Sequence, residues 1–169
     1  GHPAPRGDTV FKNDVGETVL RASKLGGLTL FTRRTPNGQA VTLVGPGEPL
    51  STRRPLSLVA LLRAVVASGH RATRAAQHPL AVTSEDEITA ETAAPIAEAA
   101  AVVAEAFEDL DRSGRRDLLA RWRRVVLVLG DKAEVRADGD VLVIVLNPKT
   151  GPAGRPSSAR IARALKRGR

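Results

Sequence analysis

Cysteine is absent from this chain, and so are methionine and tyrosine; tryptophan occurs once and phenylalanine three times. Without cysteine there is no disulfide, no thiolate nucleophile and no cysteine-ligated zinc or iron–sulfur centre. So few aromatics mean that a core must be assembled from Leu, Val, Ile and Ala, and they argue against the stacking platforms of single-strand nucleic-acid binders. Long apolar runs are missing too. The two best, 125–129 and 141–146, are far shorter than the roughly 18 residues of a membrane span and are flanked by charge. With no methionine, the chain does not open at a natural start. Gly1-His2 reads as a tag remnant, residues 1–8 as a flexible arm, and loss of an upstream piece, either a secretion leader or a trimmed region, is the expectation.

What is present is enough for one domain: 169 residues, 42% of them apolar. The net charge of +8 would by itself point to nucleic acid or an anionic membrane. Its distribution weakens that inference. Between Ala75 and Asp111 there is no Lys or Arg, while nine acids occur (Glu85, Asp86, Glu87, Glu91, Glu98, Glu105, Glu108, Asp109 and Asp111), so this segment is −9 and the remainder +17. Much of the basic surface therefore has a partner inside the chain.

Periodicity divides the chain into regions. Residues 9–45 alternate in the strand manner, with Asn37-Gly38 as a type I′ hairpin signal that needs positive φ at both positions. GPGEP at 45–49 breaks this sheet. Residues 55–124 read as helical. Pro55 stands near a first turn, a stripe of Leu58, Leu61, Leu62, Val65 and Val66 faces a core, and Gly69 marks the stop. The stretch after Gly69 extends the helix loosely or connects it to Pro79. Ser84 with Glu87 makes a capping box; Pro95 starts or kinks a longer helix through about Leu110, with Ile96, Val102, Val103 and Phe107 inward. A third helix over 114–126 takes Ser113 as its cap and turns Leu118, Leu119 and Trp122 inward. A late hairpin at 125–147 turns at Asp138-Gly139, and its second strand is apolar on both faces, as a central strand is. A basic helix at 157–167, capped by Ser157 or Ser158, closes the chain and places Ile161 and Leu165 four apart on one face.

No catalytic pattern stands out. His70 and His78 flank a helix end beside Arg71 and Arg74, whose charge opposes a cation, and spacing fixes no third ligand. Glu85, Asp86 and Glu87 supply carboxylates for a glycosidase pair, but the aromatic platforms of sugar sites are scarce and a solvated face or cap accounts for them better. No serine sits in a nucleophile elbow, and VGPGEP lacks the Lys-Ser/Thr ending of a phosphate loop. No catalytic residue, metal or cofactor is expected.

Three stretches, DTVFKNDVGETVLRASKLGGLTLF at 8–31, GDVLVIVLN at 139–147 and GRPSSARIARAL at 154–165, resemble a domain-of-unknown-function family of Caulobacter-like alphaproteobacteria. That resemblance implies an exported, periplasmic protein. It carries no catalytic motif and transfers no functional residue.

The expectation is a single α+β domain over 9–169, with an antiparallel sheet built from the N-terminal hairpins and the late hairpin and three or four helices mainly on one side. The expected function is a non-enzymatic envelope protein that presents a surface to a protein or an anionic envelope component, with Arg155, Arg160, Arg163, Lys166 and Arg167 as candidate contacts. The alternative is nucleic-acid binding by that C-terminal helix together with Arg121, Arg123 and Arg124.

Overall fold

Turn residues cut the first third of the chain into short strands. In the computed structural model, which describes residues 1–32, 34–45 and 55–167, they form a five-stranded antiparallel meander: β1 (His2–Pro3), β2 (Thr9–Lys12), β3 (Thr18–Ala22), β4 (Leu28–Leu30) and β5 (Gln39–Val41), in that spatial order. These strands lie in the first of two compact units, Gly1–Glu48; the second is Pro49–Arg169. The alternation in 9–45 is thus a real sheet, but the arm expected at 1–8 is part of it. His2 pairs with Val10, Pro3 with Thr9, and Pro5–Gly7 makes a 3-10 turn. At TPNG only Gly38 takes a positive φ, +85°, and its N–H donates to the Thr35 carbonyl. Asn37 stays out of the left-handed region, so the turn is not type I′. The breaker GPGEP lies, from Pro46 onward, outside the described residues.

The first unit's one buried described residue is an acid. Asp8 accepts from Arg21 Nε at 2.7 Å and from the Lys24 backbone N–H at 3.2 Å, which ties the end of the first 3-10 turn to the far end of β3. The Arg21 guanidinium, and then the Lys24 N–H, hold its carboxyl below the usual carboxylate range.

The second unit contains α1 (Leu58–Ala76), β6 (Ala81–Ser84), α2 (Ala90–Arg112), β7 (Arg124–Leu129), β8 (Glu134–Asp138), β9 (Val141–Leu146) and α3 (Ser158–Arg167). Its sheet runs β6-β7-β9-β8, with β6, β7 and β9 parallel and β8 antiparallel to β9. The class is therefore α+β, with three α-helices. The strands fall into two sheets, however, where the alternation suggested one. The late hairpin pairs with β6, a four-residue strand hidden at the start of the acidic segment and too short to show a period. Ser84 accordingly ends a strand; the cap of α2 is Thr89, in a reciprocal box with Thr92.

Two more helix limits differ from the sequence pattern. Gly69 lies inside α1, which runs on to Ala76 and stops where Gln77 turns left-handed at φ +58°. The third helix is not there. Ser113 closes α2, Gly114 takes positive φ, and Arg116–Leu118 forms one 3-10 turn before Arg124 enters β7. Trp122 is nonetheless core: it is fully buried, and its Nε1–H donates to the Leu118 carbonyl at 3.0 Å. The late hairpin turns as expected, one residue along, with Asp138 paired to Val141 and only Gly139 of the two loop residues at positive φ.

All three helices feed one core, against one face of the sheet. Val125, Leu127, Leu142, Ile144 and Leu146 meet Leu61, Ile96, Val103, Phe107, Ile161 and Leu165. β9 is central, as its two apolar faces required, and on its opposite face Val145 is buried as well.

Two expectations follow. Because the Asp8 carboxyl is depressed, its contribution is complete above about pH 4, the range of an unfolded aspartate, and is lost as pH falls through the lower folded value. Circular dichroism on acidification should show the first unit losing stability in that window, and Asp8→Asn should lower neutral-pH stability while removing this part of the pH dependence. At Gly154, a Cβ would stand 1.8 Å from the Asn147 carbonyl oxygen. Gly154→Ala should therefore destabilise the second unit by about 1–3 kcal/mol, read as a lower thermal midpoint.

Candidate functional site

The C-terminal helix carries the residues the sequence singled out. Its apolar side is docked, with Ile161, Ala162 and Leu165 buried, and Ser157 Oγ accepts from the Arg160 backbone N–H at its start. Arg155, just before it, is half-buried and paired with Glu98 of the acidic helix α2. Arg160 is half-buried; Arg163, Lys166 and Arg167 are exposed. Of the basic residues added in the nucleic-acid alternative, Arg121 stacks with its Cζ 4.6 Å from the Trp122 ring centroid and donates to the Gly139 carbonyl. Arg123 donates to the Ala120 carbonyl at 2.8 Å, and Arg124 opens β7.

Five of the nine acids of the acidic segment have partners within the unit. Besides Glu98, Asp109 pairs with Arg112, Asp111 with Arg116, and Asp86 accepts from the Leu129 backbone N–H. Glu108 receives a two-pronged contact from Arg71, at 2.8 Å from Nε and 2.7 Å from Nη2, which clamps α1 to α2. This contact holds the Glu108 carboxyl below its ordinary value and raises the Arg71 guanidinium. Glu85 and Glu87 are exposed. Among the described residues no group of three His, Asp or Glu is placed to hold a metal ion. His70 is exposed. His78 is fixed by the chain around it, with Nδ1 3.0 Å from the Pro79 carbonyl and Nε2 3.1 Å from that of Leu119.

The surface that stands out lies on α1 and was missed. Of the stripe expected to face the core, Leu61 is buried and Val65 packs against the core, but Leu58, Leu62 and Val66 are 56%, 52% and 55% exposed, and neighbouring Val59 is 57% exposed. The inward side of α1 further along is Ser68, Ala72, Ala75 and Ala76. A signal was present. From Leu61 round to Val59 the large apolar residues span about 160° of a helix with about 3.6 residues per turn, well beyond the roughly 100° stripe of a one-sided surface helix.

Below Val66 this ridge runs into an open groove between α1 and β6, with a volume of about 1030 Å³. Val65, Val66, Leu80 and Val82 give it apolar walls; His70, Arg71, Arg74 and Arg123 are its charged and titratable lining, and no acid lines it. Gly69 faces Val82 across it. A Cβ there would lie 3.8 Å from Val82 Cγ2, an ordinary contact, so packing does not demand the glycine. A helix-interior glycine costs about 1 kcal/mol relative to alanine, and no close contact here requires it.

If the α1 ridge serves binding and not folding, Leu62→Ser with Val66→Ser should lower stability by less than about 1 kcal/mol, whereas Leu61→Ala should cost about 2–5 kcal/mol. Chemical denaturation of the three proteins makes the comparison.

Among the described residues no helix is long and apolar enough to cross a membrane. Neither the curated proteins nor the solved structures contain a match to this chain. A family model does match, over residues 1–165, nearly the whole length and both units. The chain belongs to the family described as Domain of unknown function (DUF4908).

Proposed function

We propose that this chain is a non-enzymatic binding protein of the cell envelope, exported to the periplasm in an alphaproteobacterial setting, which uses the exposed side of α1 to hold an anionic partner, a protein or an envelope component. The observation that carries the reading is the α1 surface: four large apolar side chains more than half exposed, continuous with a groove whose charged lining is basic throughout. Apolar surface of this kind marks interaction sites, and a one-sign lining favours the opposite charge in whatever docks. The envelope location draws its support from the resemblance of 8–31, 139–147 and 154–165 to an exported family.

The nucleic-acid alternative draws less support. Arg155 is paired with Glu98, Arg121 is stacked on Trp122, and the apolar side of α3 faces the core.

The test is retention of the purified chain by polyglutamate, by phosphatidylglycerol vesicles and by duplex DNA across a salt titration. It uses the parent, the Leu62→Ser/Val66→Ser variant and a Lys166→Ala/Arg167→Ala variant. Binding to polyglutamate or vesicles that is lost in the α1 variant and kept in the tail variant is the expected result. Tight DNA binding at physiological salt, with a salt slope that falls by about one unit per tail charge removed, would overturn it.

A further inference from the structure

We propose that the groove beside α1 is a strand-addition site, in which an extended segment of a partner protein, alternating apolar with acidic residues, pairs with the free edge of β6 and lays its apolar side chains against α1. This rests on the anionic-partner reading above and specifies the partner and the mode of docking.

The backbone sets the geometry. β6 ends the sheet order and has a strand neighbour on one side only. The Ala81 N–H donates to the Arg123 carbonyl at 3.0 Å and the Glu85 N–H to that of Leu127 at 3.4 Å, so the backbone groups of 81, 83 and 85 point to β7. Those of Val82 and Ser84, one N–H and one C=O each, therefore point away from it. Proteins commonly blunt such an edge with charge. The opposite edge is blunted in that way, since β8 carries Glu134, Arg136 and Asp138. β6 is Ala-Val-Thr-Ser, with no charge and no proline.

The groove runs alongside this edge. A strand added to β6 alternates its side chains between the two faces of the sheet, and every second one falls on the face that Val82 shares with α1, where the groove lies. Apolar side chains match Val65, Val66 and Leu80 there. The charged lining then selects acids. Arg71 is committed to Glu108 and Arg123 donates to the Ala120 carbonyl, while Arg74 stands exposed, with exposed His70 beside it. Main-chain hydrogen bonds with a side-chain groove beside them are a recurrent mode of peptide recognition. A flat bilayer meets the α1 ridge without entering the groove, and a nucleic-acid duplex offers no peptide backbone to an edge strand.

Random dodecapeptides displayed on phage are selected on the immobilised full chain, and enriched peptides are synthesised and titrated against it with backbone amide NMR. Three variants are compared, each checked for folding by its thermal midpoint. Ser84→Pro deletes an outward N–H and leaves the ladder to β7 in place; Gly69→Leu fills the groove; Arg74→Glu reverses its charge. The expected result is enrichment of alternating apolar and acidic peptides, shifts concentrated in β6 and the second half of α1, and affinity about tenfold weaker in each variant, the scale of one lost hydrogen bond or charge contact. If Ser84→Pro perturbs β6, Gly69→Leu on α1, which leaves the β6 backbone intact, still decides the matter. Acidic peptides whose affinity is unchanged by Gly69→Leu overturn strand addition and leave the anionic-partner reading standing. No enriched peptide, with phosphatidylglycerol vesicles bound instead, has the same meaning. No enriched peptide, with duplex DNA bound or with nothing bound, overturns both.

Discussion

Alanine packing between the two long helices is the constraint on which the second unit depends. The core has one tryptophan and one phenylalanine to fill it, so volume comes from bringing elements close. The buried surface of α2 is largely methyl groups, from Ala93, Ala97, Ala99, Ala100, Ala104 and Ala106, and α1 answers with Ala72, Ala75 and Ala76. Small residues on both sides let backbones approach, and they leave no room for an added methylene. Larger groups are kept for the sheet side, where Ile96, Val103 and Phe107 meet Val125, Leu127 and Ile144. With α1 held against α2 in this way, its remaining large side chains have nowhere inside to go. Leu58, Val59, Leu62 and Val66 are outside because the core is already full.

Charge follows the same division. Four acids of α2 are paired with neighbours within the unit: Glu108 with Arg71 across the helix pair, Glu98 with Arg155 at the approach to α3, and Asp109 and Asp111 with Arg112 and Arg116 at its own C-terminal end. Glu85, Glu87, Glu91 and Glu105 stay exposed, while the lining of the α1 groove has basic residues and no acid. On α1 the basic charge stands next to exposed apolar groups, whereas on α3 the apolar groups face inward and only the charges face out. Both helices are cationic, and they differ in what stands beside the cations.

Strong local signals were readable in the sequence. Val141, Leu142, Val143, Ile144, Val145 and Leu146 read as a strand that is central or covered on both sides, and β9 is internal in its sheet. Ile161 and Leu165 could only dock, and Trp122 among leucines had to be buried. The failures have physical causes. β6 is four residues long, shorter than the window in which alternation can be told from chance, and missing it concealed the parallel sheet that joins 81–84 to the late strands. Gly69 looked like a helix stop because glycine so often is one; tertiary packing on α2 carried the helix through it. Around Trp122, Leu118 and Leu119 had the spacing of a helix, but Gly114 and the start of β7 at Arg124 left room for a single tight turn. The groove was the least legible feature, since it depends on two elements, one of them unseen, and on the width of the apolar arc on α1, which a list of inward residues does not convey.

Trp122 has a practical consequence. It is the chain's lone indole, there is no tyrosine beside it, and it is sealed in the second unit with Arg121 over its ring and its N–H bonded to Leu118. Ultraviolet emission therefore comes from one place, between the last turn before β7 and the helical core. An emission spectrum reports the melting of that core and is blind to the five-stranded meander, which a far-ultraviolet signal records. Comparing the two optical signals over one unfolding curve separates the units without labels, tags or substitutions.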